Sequence, residues 1–305
     1  MDYKLPEAPA IARVLTFFRG PLSPCLDYSG IVAATTRSDL QVGDRVFGKL
    51  EPPTFGAAAE YAVVGEQGCA KVPEGVSLEQ AGGVGVAGLT AWQCIVPFLE
   101  EARKARVEGA GEQQMRVFIN GGSGGTGTFG VQIAKALGCY VVATCSAANA
   151  EFVRTELGAD EVIDYRSQDV LARLTELAEK DGAFDLAVDN VGGATPLYFQ
   201  GHQYLAPHAK FVNVGATPGP QAIVDFVKTF ATPAVLGGGQ RPYKFVTCTA
   251  DKKQYEQLGA LMAEGKVKTV VERCVEMEGI KEGFERLKTG RVRGKIVVKV
   301  ASLEG

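Results

Sequence analysis

From residue 116 onward, short apolar runs alternate with segments whose apolar positions recur every three or four residues. The apolar runs predict strands at 116–120, 140–145, 161–165, 184–190, 210–215 and 243–249. The segments between them predict helices. Val170, Leu174 and Leu177, for example, predict a helix from Gln168 to Lys180 with Ser167 as its N-cap. Strands and helices in alternation predict an α/β fold with a doubly wound parallel sheet.

The two ends of the chain follow other patterns. Before about residue 80, short strands are predicted at 31–34, 45–47 and 59–64, between glycine, proline and aspartate positions. The charged stretch from Glu100 to Gln114 predicts a connector ahead of the first strand of the alternating region. Near the end, helices are predicted at 254–262 and 280–287, before a last strand at 296–300 that we expect to pair with the N-terminal β region.

A glycine turn follows the strand at 116–120. Glycines at 122, 124 and 127 have the spacing G-x-G-x-x-G, and a helix ended by Gly138 comes directly after them. In this pattern the first glycine permits the tight turn, the second lets the backbone approach a phosphate, and the third lets the helix pack on the strand. The helix N-terminus favours an anion. The predicted dinucleotide-binding residues are Gly122, Ser123, Gly124, Gly125, Thr126 and Gly127.

The next strand indicates which dinucleotide fits. A site that prefers NAD usually places Asp or Glu at the end of that strand, where the carboxylate bonds the ribose 2′-hydroxyl. This chain has the sequence 145–149 (CSAAN) there, without a carboxylate to repel a 2′-phosphate. The sequence therefore favours NADPH. The nearest cationic candidates are Arg154 and Arg166, and the alternative for both is a side chain turned into solvent, as is usual for a lone surface arginine.

Composition narrows the partners and the compartment. The 305 residues carry a net charge of −3 without a basic run, which argues against nucleic acid and anionic membranes as partners. The uncharged stretch 81–99 contains four glycines and Pro97, so it predicts a buried helix rather than a membrane span. Seven scattered cysteines, and no signal-peptide pattern, favour reduced thiols and a cytoplasmic location.

The sequence does not predict a metal site. Structural zinc requires a close cluster of cysteines, and the chain contains no C-x-x-C. Catalytic zinc commonly uses histidine among three protein ligands, and His202 and His208 are the two histidines of the chain.

Several motifs together resemble one family. The chain is similar to the zinc-independent quinone oxidoreductase branch of the medium-chain dehydrogenase/reductase superfamily, which includes enoyl-reductase-like and alkenal-reductase-like members. The segments that carry the resemblance are 26–30 (LDYSG), 42–48 (VGDRVFG), 88–92 (GLTAW), 120–127 (NGGSGGTG), 157–165 (LGADEVIDY), 189–193 (DNVGG), 212–215 (VNVG) and 294–298 (GKIVV).

The resemblance implies a Rossmann domain and a GroES-like β-rich domain. Their expected extents are 86–250 for the Rossmann domain, 1–85 for an incomplete GroES-like domain, and 251–305 for a C-terminal part that returns to the latter. It also implies that NADPH reduces a small molecule, either the conjugated C=C of an enone or enal, or a quinone. By position, the residues that would line the cofactor are Thr90, Asn190, Gly215 and Lys295, with Ser146, Asn149 and Tyr165 around the adenosine phosphate.

Tyr3 and Lys4 match a family motif that faces the substrate, so they are the candidate catalytic residues. The alternative is that both belong to an exposed chain end. The motif matches only from its middle, which leads us to expect a chain shortened at its N-terminus. A second departure is Cys25, at a position where the family usually has glycine.

Two other functions compete with a zinc-independent reductase. One is a non-catalytic NADPH-binding protein with an incomplete substrate site, which turnover would distinguish. The other is a zinc alcohol dehydrogenase of the same superfamily, against which the missing cysteine and histidine ligands argue. A homodimer is plausible by family analogy, through an edge strand near 243–249.

Overall fold

The computed structural model describes residues 24–51, 56–106, 113–193, 195–214, 224 and 228–301. The chain divides into two compact units, one of Met1–Leu89 with Cys248–Gly305 and the other of Thr90–Thr247. Its strands are β1 (Asp27–Ile31), β2 (Arg45–Lys49), β3 (Cys69–Lys71), β4 (Arg116–Asn120), β5 (Tyr140–Cys145), β6 (Glu161–Asp164), β7 (Phe184–Asp189), β8 (Leu205–Asn213), β9 (Tyr243–Phe245), β10 (Val271–Glu276) and β11 (Lys295–Lys299). Its helices are α1 (Leu78–Gly82), α2 (Gly85–Ala105), α3 (Gly125–Ala136), α4 (Ala147–Thr155), α5 (Val170–Asp181), α6 (Thr195–Phe199), α7 (Lys252–Ala263) and α8 (Ile280–Lys288).

The unit 90–247 is built on a six-stranded sheet in the order β6-β5-β4-β7-β8-β9. All of its neighbouring strands are parallel, which confirms the predicted doubly wound α/β fold. The strand order reverses between β4 and β7, so these two strands form the topological switch point, where such sheets bind ligands. Their carboxyl ends meet in register, with Asn120 beside Asp189.

Three fully buried aromatic side chains pack together against the sheet. Phe118 of β4, Phe184 of β7 and Tyr204 are each 0% exposed. Their rings contact one another edge to face, with centroids 6.0 to 6.4 Å apart. The Tyr204 hydroxyl donates to the Leu197 carbonyl oxygen at 3.0 Å, so the buried polar atom of this aromatic cluster has a partner.

A buried ion pair anchors the amino end of β7. Asp185 is 2% exposed and lies 2.8 Å from Nη2 of Arg106 and 3.0 Å from Nε2 of His208. The same carboxylate accepts the backbone N–H of Arg116 at 2.7 Å. The Asp185 side chain thus joins three elements to β7. These are the first residue of β4, the interior of β8 and the residue just after α2.

Helix α2 is longer than the sequence predicts. The charged stretch from Glu100, predicted as a connector, continues the helix as far as Ala105. Ala102 is buried there, and Arg103 donates to the Leu137 carbonyl oxygen at 3.1 Å, so packing outweighs the polar composition. None of the helices in the described residues is long and apolar enough to cross a membrane.

Helix α5 begins later than predicted because its predicted cap is engaged elsewhere. The Ser167 hydroxyl donates to Asp164 at 2.7 Å. Asp169 caps the helix instead, accepting the N–H of Ala172 at 3.0 Å, and α5 starts at Val170.

The other unit contains two small sheets. Strands β1, β2 and β3 form an antiparallel sheet, and β10 pairs with β11 in parallel. The prediction of a strand at 59–64 is wrong, since that segment makes no strand pair and its Tyr61 and Val63 are 76% and 83% exposed. The expectation that the last strand pairs with the N-terminal β region is also wrong among the described residues, because β11 lies against β10.

Cys25 occupies a glycine-like position. It adopts φ 72°, and it is the one non-glycine residue of the described chain with positive φ. Its carbonyl oxygen accepts the N–H of Ala57 at 3.0 Å and that of Gly56 at 3.3 Å, which holds the backbone in this conformation. The left-handed region costs an L-residue about 1–2 kcal/mol relative to glycine.

We therefore expect Cys25→Gly to raise the free energy of unfolding by about 0.5–1 kcal/mol, after allowing for the greater backbone entropy of glycine in the unfolded chain. Chemical denaturation measures the change. The matched control is Cys274→Gly in β10, which lacks positive φ and should lower the free energy of unfolding by about 0.5–1 kcal/mol. A destabilised Cys25→Gly protein would contradict the argument from backbone strain.

Candidate cofactor-binding site

The glycine turn connects the end of β4 to the start of α3. Gly121 adopts φ 81°, and the N–H of Gly122 donates to the Thr144 carbonyl oxygen of β5 at 2.8 Å. A Cβ on Gly122 would lie 2.9 Å from Cβ of Ala143. A Cβ on Gly127 would lie 2.0 Å from the Gly121 carbonyl oxygen, so no side chain fits at that position. The absence of side chains at Gly122 and Gly127 thus lets β5 and α3 pack directly against the turn.

Gly124 has a different environment. A Cβ there would meet the Gly121 carbonyl oxygen at 3.7 Å, and among the described residues outside its own helix and chain neighbours it would meet nothing else within 4 Å. Gly124 is the N-cap residue of α3 and has no side chain to bond the free N–H groups of the first helical turn. Open space beside free N–H groups and the positive end of a helix fits a pyrophosphate.

The residues predicted around the adenosine phosphate lie close to this turn. The Asn149 side-chain amide donates to the Ser123 hydroxyl at 3.2 Å, which joins α4 to the glycine turn. Ser146 is the N-cap residue of α4. Tyr165 is 52% exposed, its N–H donates to the Cys145 carbonyl oxygen at 3.3 Å, and the Arg166 guanidinium lies 5.8 Å from the centroid of its ring.

A carboxylate that the sequence reasoning missed also lies here. Asp164 ends β6 and pairs in register with Cys145 at the end of β5. It accepts hydrogen bonds from the Ser167 hydroxyl at 2.7 Å, from the Arg166 N–H at 3.1 Å and from the N–H of Ala147 in α4, and these bonds hold its pKa below the usual value. The carboxylate is therefore charged and bonded both to its own loop and to the start of α4.

Four strand ends contribute a buried polar network on the other side of the switch point. Asp189 is 1% exposed and accepts the side-chain amides of Asn120 at 2.8 Å and Asn213 at 2.9 Å. The Thr144 hydroxyl donates to Asn120 Oδ1 at 2.6 Å and accepts the N–H of Gly121 at 2.8 Å. The network connects the glycine turn to the ends of β5, β7 and β8, and sequence reasoning did not identify it.

Asn190 carries the clearest sign of a missing partner. Its side-chain amide donates to the Asn120 carbonyl oxygen at 3.1 Å. Its Oδ1 is buried and has no hydrogen-bond partner among the described residues. A buried oxygen without a donor is costly, so a bound molecule that supplies one fits this place.

The remaining predicted residues are not brought to the turn by the described structure. Thr90 is buried on α2. Lys295 belongs to the other unit, where its Nζ lies 2.8 Å from Asp27, whose second oxygen accepts the N–H of Val86 at 2.7 Å. Gly215, Tyr3 and Lys4 lie outside the described residues.

The described residues do not fit a metal ion. No group of three His, Cys, Asp or Glu side chains among them is arranged to hold one. His208 is already bonded to Asp185 at 3.0 Å.

Comparison with known proteins agrees with the geometry. The family profile described as "Zinc-binding dehydrogenase" matches residues 157–298. The trans-enoyl reductase pgmF of Aspergillus terreus is 41% identical over 313 residues, covering 98% of this chain and 83% of the relative. The quinone-oxidoreductase homolog of Spinacia oleracea chloroplasts is 30% identical, covering 98% of this chain and 85% of the relative. The structure of the quinone oxidoreductase from Coxiella burnetii aligns with a TM-score of 0.77 at 27% identity, covering 98% of this chain and 86% of that one.

The fold and the glycine turn thus define a dinucleotide-binding protein of the oxidoreductase class. The chain belongs to the medium-chain dehydrogenase/reductase superfamily, among its quinone oxidoreductase and enoyl reductase members. The relatives support NAD(P)H-dependent oxidoreduction as the general activity.

We expect Gly127→Ala to lower the free energy of unfolding by roughly 2–4 kcal/mol, since its methyl group would overlap the Gly121 carbonyl and force the helix off the turn. Gly124→Ala is the matched control. It should change stability by less than about 1 kcal/mol, because its methyl group meets its nearest atom at 3.7 Å. Equal losses in thermal or chemical unfolding would mean that the turn can relax around the methyl group.

Proposed function

We propose that the protein is an NADPH-dependent reductase that transfers hydride to the conjugated C=C of an enone or enal, or to a quinone. The observation that carries this proposal is the pairing of an open Gly124 with the buried, unpartnered oxygen of Asn190. The first fits the pyrophosphate, and the second lies where the strand order predicts the nicotinamide half. The bound cofactor would supply the hydride, and the protein would hold and orient both molecules.

The preference for NADPH is supported by the surroundings of Tyr165. The Arg166 guanidinium lies 5.8 Å from the centroid of this exposed ring, while the Asp164 carboxylate is engaged by Ser167, Arg166 and Ala147. A cation in the loop after β6, the strand that neighbours β5, suits a 2′-phosphate. Arg154, the other cationic candidate, is exposed on α4.

The substrate class rests on the relatives, which are named as a trans-enoyl reductase and a quinone oxidoreductase. We propose that the polar groups at the substrate carbonyl are Tyr3 and Lys4. We also propose that the cofactor is lined by Thr90, Gly215 and Lys295. Independence from zinc is proposed because the described residues offer no ligand set. The homodimer and the cytoplasmic location remain predictions, although β9 does lie at an edge of the sheet.

Turnover separates the reductase from a non-catalytic NADPH-binding protein. NADPH oxidation at 340 nm should accompany reduction of at least one member of a panel of enones, enals and quinones, and prior treatment with a zinc chelator should leave the rate unchanged. NADPH binding without turnover of any panel member would favour the non-catalytic alternative.

We expect Gly124→Val to fold and to lose NADPH binding, because its side chain would occupy the space that the pyrophosphate needs. Titration of NADPH fluorescence measures the loss, and the thermal unfolding temperature verifies the fold. Unchanged binding would mean that the turn has only a structural role.

We expect Arg166→Ala to weaken NADPH binding roughly tenfold and to leave NADH binding unchanged, because only NADPH carries the 2′-phosphate. Arg154→Ala, which removes the same charge from α4, is the control and should change neither constant by more than about twofold. If wild type binds NADPH and NADH equally, the preference for NADPH is wrong.

A further inference from the structure

Asp189 is a buried carboxylate without a buried counter-charge. It is 1% exposed, and no Lys, Arg or His of the described chain forms an ion pair with it. Asp185 offers the contrast on the same strand. It is 2% exposed, but Arg106 lies at 2.8 Å and His208 at 3.0 Å. One strand thus carries two buried aspartates, and only the one at its amino end is paired with an arginine.

The groups around Asp189 are hydrogen-bond donors. Two of its donors are the backbone N–H groups of Val191 and Gly192, at 3.0 and 3.3 Å. The third donor is the Asn120 side-chain amide at 2.8 Å, and Asn120 Oδ1 accepts the Thr144 hydroxyl at 2.6 Å. The carboxyl group accepts every bond and donates none, which is the pattern of a carboxylate.

A buried carboxylate without a counter-charge costs free energy of folding. Neutral amide groups donate hydrogen bonds to Asp189, but no described side chain of opposite charge lies beside it, and a buried ion is normally paired. An isosteric amide at this position would avoid the cost. Strained or costly polar groups of this kind concentrate at functional sites.

The position of Asp189 indicates what the charge acts on. The glycine turn follows β4, and the adenosine side extends over the ends of β5 and β6. The other half of a dinucleotide would then cross the switch point to the ends of β7 and β8. Asp189 ends β7 in register with Asn120 of β4, and the unpartnered oxygen of Asn190 belongs to the next residue.

We propose that Asp189 is the fixed negative charge that stabilises the oxidised nicotinamide ring. This inference rests on the proposed function. The reduced ring is neutral. When it gives up a hydride, which is a proton with two electrons, to the substrate, it becomes a cation, and the substrate then takes a proton from solvent. A buried carboxylate near the ring binds the cation more tightly than the neutral ring, and so favours hydride donation.

The test compares the dissociation constants of NADP⁺ and NADPH, measured by calorimetry without substrate. Asp189→Asn should weaken NADP⁺ binding on the order of tenfold more than NADPH binding, because the substitution removes one buried charge that acts on the cation alone. Asp185→Asn, the matched control on the same strand, should lower stability yet leave the ratio of the two constants unchanged. A merely structural role of Asp189 would change both constants by the same factor, and that result would overturn the proposal.

Asn213→His keeps the test decisive if Asp189→Asn does not fold. The imidazole replaces the amide that donates to Asp189 at 2.9 Å, and lowering the pH from about 8 to about 5.5 adds a proton beside the carboxylate. The added positive charge should lower the preference for NADP⁺ in the same direction as Asp189→Asn. An unchanged ratio would refute the proposal, whereas a wild-type protein that binds neither cofactor would refute the proposed function itself.

Discussion

The site depends on how closely helix α3 approaches the carbonyl of Gly121. The two backbones come nearer than any side chain permits, because a Cβ on Gly127 would lie 2.0 Å from that oxygen. This approach places the first helical turn directly above the end of β4, at the switch point of the sheet. It also leaves the N–H of Gly121 facing Thr144, from which the buried polar network extends to Asn120 and Asp189. The close contact between Gly127 and Gly121 therefore positions both halves of the candidate site, the proposed phosphate side and the proposed nicotinamide side.

Strand β7 has a different electrostatic character at each end. At its amino end, Asp185 forms an ion pair with Arg106 and a hydrogen bond with His208, and it joins three elements of the fold. At its carboxyl end, Asp189 accepts hydrogen bonds from the neutral amides of Asn120 and Asn213. The two aspartates of one strand therefore differ in the partners that the neighbouring elements supply.

The sequence predicts what is decided locally. The parallel strands, the glycine turn and the end of α3 at Gly138, which adopts φ 78°, follow from short-range patterns. Features that depend on pairing between segments distant in sequence do not follow from these local patterns. The alternation at 59–64 resembles a strand but finds no partner, and β11 pairs with β10, which no local signal indicates.

Competition between neighbouring side chains is equally hard to predict. Ser167 is a good N-cap by type, but Asp164 engages its hydroxyl and Asp169 caps α5 instead. The network around Asp189 of β7 draws neutral residues from three other strands, which meet only once the sheet has formed. For the site as a whole, the glycine turn could be predicted from sequence, and the groups that give the turn its chemistry could not.

The packing of Gly122 and Gly127 has a further consequence for the energetics of recognition. Backbone held this tightly against β5 and the Gly121 carbonyl has little conformational freedom before a ligand arrives. A preorganised turn loses little entropy when it binds an anion, and it treats every pyrophosphate alike. Discrimination between one dinucleotide and another must then come from the side chains at its periphery, such as Tyr165, where exposure leaves room to change. The rigid part of the site sets the strength of binding, and the adaptable part sets its selectivity.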